Sequence, residues 1–193
     1  MKESVFDIII IGGSAGSIEV IIYLLKSLPK TFLTPVVLVI HRIKNTTSNL
    51  AEILTKKTDM KKIIEPEDKE PIKPGRIYLA PQNYHLLVEE DHTFSLDYSE
   101  QVNFSRPSID TSFENFADIY SKRTLAILLS GANKDGSVGL TAVIEKGGMA
   151  VVQSPKTARY PTMPNAAIEL NNSVLILNPE QILHYILQYP NNL

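Results

Sequence analysis

The sequence contains no cysteine and no tryptophan. The lack of cysteine excludes disulfides, thiolate metal sites and a cysteine nucleophile, and it agrees with a reducing compartment. Basic residues are not in excess either, because 19 Lys and Arg stand against 21 Asp and Glu, for a net charge of −2. The sequence therefore lacks the positive charge typical of a nucleic-acid-binding protein, and we expect no nucleic-acid partner.

Long hydrophobic runs are also missing. No apolar stretch approaches the roughly 20 residues that a transmembrane helix needs. The amino terminus carries Glu3 and Asp7 around a short apolar run, unlike a signal peptide. No cluster of His, Asp and Glu has the spacing of metal ligands. We therefore expect a cytoplasmic protein without membrane insertion, metal or cofactor.

What the sequence does contain is an alternation of short Val/Ile/Leu runs with helical patterns, which predicts a doubly wound, mostly parallel α/β sheet with helices on both faces. Its 193 residues suit a single catalytic domain over 1–193. Segment 85–97 breaks the alternation and predicts an inserted antiparallel hairpin. The predicted strands are 5–11, 35–41, 63–64, 76–80, 124–130, 149–153 and 173–177, and the predicted helices are 17–28, 46–57, 108–122, 137–146, 164–170 and a last one from Pro179.

Three short motifs follow predicted strands. Gly-Gly-Ser-Ala-Gly occupies 12–16, His41 ends the second strand, and Gly-Ala-Asn-Lys-Asp-Gly occupies 131–136. Active sites of open α/β sheets form in the crevice outside the carboxyl ends of the strands. Ser14, His41 and Asp135 are the residue types of a nucleophile, a general base and an orienting acid. If strand 124–130 lies beside strand one, on the side away from strand two, these three side chains converge. Their convergence would be typical of a hydrolase.

The first motif fits G-x-S-x-G, a tight turn that exposes a serine hydroxyl at the start of a helix. A glycine-rich turn of this kind can equally bind phosphate. The dinucleotide pattern G-x-G-x-x-G fits neither frame here, and no Gly-Lys-Ser/Thr of a P-loop follows. Arg42 could still bind a 2′-phosphate, so NADP binding stays open as an alternative. The order Ser, His, Asp differs from that of α/β-hydrolases, which argues against that fold but not against a triad.

Taken together, these motifs resemble the catalytic domain of the CheB protein-glutamate methylesterases of bacterial chemotaxis. The similarity runs from about Ile9 to Leu170 and rests on six short segments: 11–16, His41, 74–81, 106–110, 129–139 and Met163-Pro164. It implies a serine esterase that demethylates glutamyl methyl esters on chemoreceptor signalling helices and in some members deamidates receptor glutamines. The family's triad falls on Ser14, His41 and Asp135.

The resemblance also implies further site residues. Ala15 and Ala132 lie in the region expected to bind the oxyanion, and Arg106 and Met163 are candidate substrate contacts. The family often has Ser-Thr-Gly-Gly where this chain has Ser14-Ala-Gly-Ser17, and a methionine is common where Ala132 stands. Well-known members carry an amino-terminal receiver domain. Here the motif starts at residue 12, so we expect a stand-alone form, with a separate receiver-domain protein as a candidate regulator.

Two residues favour structural interpretations. Asp110 falls in the first turn of a predicted helix, where a carboxylate stabilises the helix dipole, and His85 is expected at the surface or in the hairpin. A non-catalytic signalling scaffold is the remaining alternative. The complete Ser, His and Asp set argues against it, because a pure binding module does not need all three.

Overall fold

The computed structural model describes residues 6–42, 48–58 and 63–188. Its main sheet has six parallel strands in the order β3-β2-β1-β6-β7-β8, and a separate antiparallel pair is formed by β4 and β5. The strands are β1 (Ile8–Gly13), β2 (Val36–Ile40), β3 (Ile77–Leu79), β4 (His85–Val88), β5 (Phe94–Asp97), β6 (Thr124–Leu128), β7 (Met149–Gln153) and β8 (Leu175–Leu177). The helices are α1 (Ile18–Ser27), α2 (Leu50–Thr58), α3 (Ile109–Tyr120), α4 (Ser137–Glu145), α5 (Thr162–Leu170) and α6 (Pro179–Gln188).

One predicted strand is shorter than expected, because at 63–64 only Ile64 pairs, through an isolated parallel bridge with Tyr78 of β3. The start predicted for the second helix, at residue 46, lies outside the described residues. The other strands and the hairpin are confirmed, with ends that shift by at most three residues.

The near-continuous apolar strands arise because the sheet is covered on both faces. Every residue of β1 is buried, and its side chains alternate between two cores. Ile9 and Ile11 pack towards α1 and α6, whereas Ile8 and Ile10 pack towards α3 and α4. A strand with two buried faces needs apolar residues at every position, which explains why these runs do not alternate with polar residues.

The order of the strands places the site. β1 pairs in parallel with β2 on one side, where Gly13 lies opposite Ile40, and with β6 on the other, where Gly12 lies opposite Leu128. The chain therefore builds β2 and β3 on one side of β1 and then crosses to β6 on the other. The crevice that such a reversal opens at the carboxyl ends of the strands is the usual binding site of this fold.

The hairpin is attached to helix α3. Asn115 of α3 accepts a hydrogen bond from the N–H of Val88 at 2.7 Å and donates one to its carbonyl at 3.3 Å. Ser112 donates to the carbonyl of Leu86 at 2.9 Å. These bonds pair backbone groups along the outer edge of β4 with side chains of α3. They thereby fix the position of α3, whose first turn reaches the crevice.

Candidate active site

Strand register makes Ser14 and His41 neighbours. Each residue directly follows the last β1–β2 pair, Gly13 and Ile40. The N–H of His41 donates to the carbonyl of Gly13 at 3.1 Å, and on the other side the N–H of Ser14 donates to the carbonyl of Ser130 at 3.0 Å. The backbone that carries the serine is thus held from both neighbouring strands.

The turn around Ser14 requires its glycines. A Cβ on Gly12 would lie 2.5 Å from a methyl carbon of Ile109. Gly16 has φ +80°, and a Cβ there would lie 2.8 Å from Oγ of Ser130. Ser17 then closes the turn, because its N–H and its hydroxyl both donate to the carbonyl of Ser14, at 3.1 and 2.7 Å. Helix α1 starts directly behind the serine, as the nucleophile-elbow pattern predicts.

His41 and Asp135 form a direct pair. Nε2 of His41 lies 2.7 Å from Oδ2 of Asp135. A carboxylate accepts only, so Nε2 is the donor, and in the neutral form of the ring Nδ1 keeps the lone pair. Nδ1 lies 3.4 Å from the side-chain amide nitrogen of Asn133. The His41 side chain is 12% exposed, whereas that of Asp135 is completely buried.

Asp135 also occupies the amino-terminal end of helix α3. Its carboxylate accepts from the N–H of Ile109 at 2.7 Å, from the N–H of Asp110 at 3.1 Å and from the hydroxyl of Ser108 at 2.9 Å. Burial acts to raise the pKa of Asp135, but the bonds from His41 and from the two backbone N–H groups outweigh it and lower the pKa to about 2. Asp135 is therefore a permanent negative charge behind the imidazole at neutral pH.

The Ser14 hydroxyl is half-buried and, within the described part of the chain, makes no hydrogen bond to His41 or to any other residue. The serine–imidazole hydrogen bond of a catalytic triad is thus not formed in this structure. Catalytic hydrogen bonds are often long or misaligned in enzymes without substrate. The register of β1 and β2 makes the backbones of Ser14 and His41 neighbours, since each follows one member of the Gly13–Ile40 pair.

Ala15 and Ala132 are both exposed and follow the ends of β1 and β6. Among the described residues, the backbone N–H of neither one has an acceptor. Unpaired N–H groups beside a nucleophile are the donors that an oxyanion needs. Both residues therefore stay candidates for that role.

Two buried groups near Asp135 were not predicted as parts of the site. Asp110 accepts from the N–H of Gly139 at 2.8 Å, which links α3 to α4. His85 lies in the hairpin, as one of its two expected positions has it, but it is fully buried and not at the surface. Its Nδ1 accepts from the N–H of Ser108 at 3.1 Å, and its Nε2 donates to the carbonyl of Glu100 at 3.0 Å. Ser108 also caps α3, because its hydroxyl accepts from the N–H of Thr111 at 3.3 Å.

The two candidate substrate contacts are both engaged within the protein. Arg106 lies over the ring of Tyr98 at 3.9 Å and donates to the carbonyls of Tyr98 and Ser99 at 2.9 and 2.5 Å. Met163 is completely buried, and its Sδ and Cε would lie 2.5 Å from a Cβ on Gly131. Met163 thus has no surface in the crevice with which to contact a substrate directly, contrary to its predicted role.

The structure argues against NADP binding, because the arginine expected to bind the 2′-phosphate is already paired within the protein. Arg42 donates to Glu65 at 2.6 Å and to the carbonyl of Ala80, and its side chain is only 5% exposed. It is thus not free to bind a 2′-phosphate. Over residues 6–42, 48–58 and 63–188, no group of three His, Asp or Glu side chains could hold a metal ion. Within the same ranges, none of the helices has the length and apolar character of a membrane span.

Comparison with known proteins agrees with this geometry. The family model described as CheB methylesterase matches residues 9–186. A putative protein-glutamate methylesterase/protein-glutamine glutaminase of Leptospira interrogans is 43% identical over 187 residues, which are 97% of this chain and 96% of the relative. The corresponding Thermotoga maritima protein is 32% identical over 93% of this chain and 54% of its own length.

The crystal structure of the Thermotoga maritima CheB methylesterase catalytic domain superimposes with a TM-score of 0.85 at 30% identity, over 96% of this chain and all of that one. The chain belongs to the CheB methylesterase family.

Proposed function

We propose that this protein hydrolyses glutamyl methyl esters of chemoreceptors, with Ser14 as nucleophile, His41 as general base and acid, and Asp135 as the residue that orients and stabilises the imidazole. The observation that supports this most directly is the 2.7 Å contact between Nε2 of His41 and Asp135 at the strand end next to Ser14. The names of the relatives support the substrate class.

In this proposal the two ring nitrogens have separate tasks. Nε2–H stays hydrogen-bonded to Asp135. Nδ1 therefore takes the hydroxyl proton of Ser14 while Oγ of Ser14 attacks the ester carbonyl. The negative oxygen of the tetrahedral intermediate is stabilised by the N–H groups of Ala15 and Ala132. The imidazolium returns its proton from Nδ1 to the departing methanol, and an acyl-enzyme remains on Ser14.

Water completes the cycle. Nδ1 of His41 accepts one proton from the water that attacks the acyl-enzyme and returns it to Ser14 as the acyl bond breaks. The glutamic acid side chain that is released then loses the second proton of the water to solvent and becomes a carboxylate. A glutaminyl amide gives the same acyl-enzyme with ammonia as the leaving group. We therefore include in the proposal the glutaminase activity that the relatives are named for.

The proposed partners follow from the substrate. The enzyme would act on the signalling helices of methyl-accepting chemoreceptors, in the cytoplasm, and a separate receiver-domain protein would be its regulator. Neither nucleic acid nor a cofactor takes part in the proposed reaction. Arg106 remains a candidate contact for an acidic group of the receptor, although its guanidinium is held by backbone carbonyls.

Methanol release from a methylated receptor fragment tests the proposal. We expect Ser14→Ala to reduce turnover to background, since the nucleophile is lost and a small residue fits the turn. Ser173→Ala is a matched control, because Ser173 is exposed and lies at the amino-terminal end of β8. The candidate site lies at the opposite, carboxyl-terminal ends of the strands. A Ser14→Ala enzyme that kept more than a few per cent of wild-type turnover would disprove the assignment.

A further inference from the structure

Residues 102–105 form a tight turn with an aromatic residue, Phe104, at one of its two central positions. The N–H of Ser105 donates to the carbonyl of Val102 at 2.9 Å. The two central residues, Asn103 and Phe104, have φ of +51° and +60°. Both angles belong to the left-handed region of a type I′ turn, where asparagine and glycine are favoured. Asn103 suits its position, whereas an aromatic residue at the position of Phe104 is strained.

Phe104 gains nothing from burial that could offset this strain. It is 91% exposed, the most exposed of the large apolar side chains in the described chain. A glycine would fit the backbone better and a polar residue would fit the solvent better. Strained residues that add nothing to the stability of the fold are concentrated at functional sites.

The turn is fixed beside the triad. The Asn103 side-chain amide donates to Oδ2 of Asp110 at 2.9 Å and lies 3.5 Å from Oδ1 of Asp135. After the turn, Arg106 is held over Tyr98 by its bonds to backbone carbonyls. Anchors on both sides therefore fix the backbone at Phe104, next to a residue whose side chain lies within 3.5 Å of Asp135.

We propose that Phe104 is a specificity-determining residue whose ring packs against apolar surface of the protein segment that presents the methylated glutamate. This inference rests on the proposed function. A helix is about 10–12 Å across with its side chains. A helix whose glutamyl group reaches Ser14 would thus extend sideways over a turn that contacts Asp135. Val102 and Tyr98, which are 39% and 66% exposed, would extend the same apolar contact.

The test compares two substrates, a methylated receptor fragment and the small ester p-nitrophenyl acetate, on Phe104→Ala and Phe104→Gly. We expect both variants to lose roughly tenfold in kcat/KM on the receptor fragment, mostly through KM, as when an aromatic contact at an interface is removed. Activity on the small ester should stay within about twofold of wild type, because the triad is intact. Phe104→Gly should also raise the Tm, because glycine adopts positive φ without strain.

Tyr23→Ala is the matched control, since Tyr23 is an exposed aromatic residue on α1 that lies outside the crevice. A Phe104→Gly enzyme with unchanged kcat/KM on both substrates would overturn the inference. An equal loss on both substrates would overturn it as well, because it would assign the turn a role in supporting the triad. If wild type releases no methanol from the receptor fragment in a Ser14-dependent reaction, the proposed function fails and this inference with it.

Discussion

Asp110 donates its backbone N–H to the carboxylate of Asp135 at 3.1 Å, which places two acidic side chains next to each other at the start of α3. Their pKa values are driven apart. Burial raises the pKa of Asp110 to about 7, and the nearby charge of Asp135 adds to the rise. Asp135, which receives the bonds from His41 and the helix N–H groups, has its pKa lowered to about 2. One carboxyl group is thus kept ionised, and the other binds a proton in the neutral range.

Asp110→Asn should make the protein more stable at alkaline pH. Because the pKa of Asp110 is higher in the folded protein than its unfolded value near 4, its stabilising contribution is complete below pH 4 and is lost as pH rises through 7. An asparagine side chain still offers an oxygen that can accept the hydrogen bond from the N–H of Gly139, and it cannot ionise. The variant's advantage in unfolding free energy should therefore grow between pH 4 and 7 and stay constant above pH 7.

Urea unfolding at pH 4, 5.5, 7 and 8 measures this difference. Asp118→Asn, on the exposed face of the same helix, controls for the loss of one negative charge. A difference between Asp110→Asn and wild type that stayed the same from pH 4 to 8 would show that Asp110 titrates normally.

Asp135→Asn should lower both activity and stability, whereas His41→Ala should lower activity with a smaller loss of stability, because Asp135 keeps its bonds from the start of α3. An amide offers a single acceptor oxygen where the carboxylate of Asp135 serves donors with both, so at least one buried donor loses its partner, at a cost of about 1–3 kcal/mol. Turnover should fall by several orders of magnitude in both variants. Methanol release and urea unfolding of the two purified variants check this contrast, and a fully stable Asp135→Asn protein would contradict it.

His85 should act on turnover through Ser108. His85→Leu removes the acceptor of the Ser108 N–H, and the hydroxyl of Ser108 in turn binds Asp135. His85→Asn keeps an acceptor near the position of Nδ1. We expect His85→Leu to lower the unfolding free energy by about 1–3 kcal/mol and to lower kcat with KM unchanged, and His85→Asn to restore kcat.

Steady-state kinetics with the receptor fragment, together with urea unfolding, separates the two effects. A His85→Leu enzyme with wild-type kcat would mean that the Ser108–Asp135 bond forms without support from the histidine. A His85→Asn enzyme as slow as His85→Leu would assign the effect to the shape of the ring rather than to its acceptor.

The sequence predicted the positions of Ser14 and His41 well, because neighbouring parallel strands end at the same edge and their order follows from the doubly wound pattern. It did not predict that α3 begins against Asp135, since that contact joins residues 26 positions apart and depends on where the hairpin holds the helix. The burial of His85 was missed for the same reason. A short strand pattern does not show that its polar residue will face the start of a helix.

The bonds from the first turn of α3 to Asp135 constrain how this family can lose its activity. A change at Asp135 disturbs both the proposed catalytic pair and the start of a helix packed on the sheet, so it should reduce the amount of folded protein in the cell as well as its activity. A change at Ser14 or His41 leaves that helix end intact. Descendants that keep this fold for another purpose should therefore have replaced the serine or the histidine first and kept the aspartate longest.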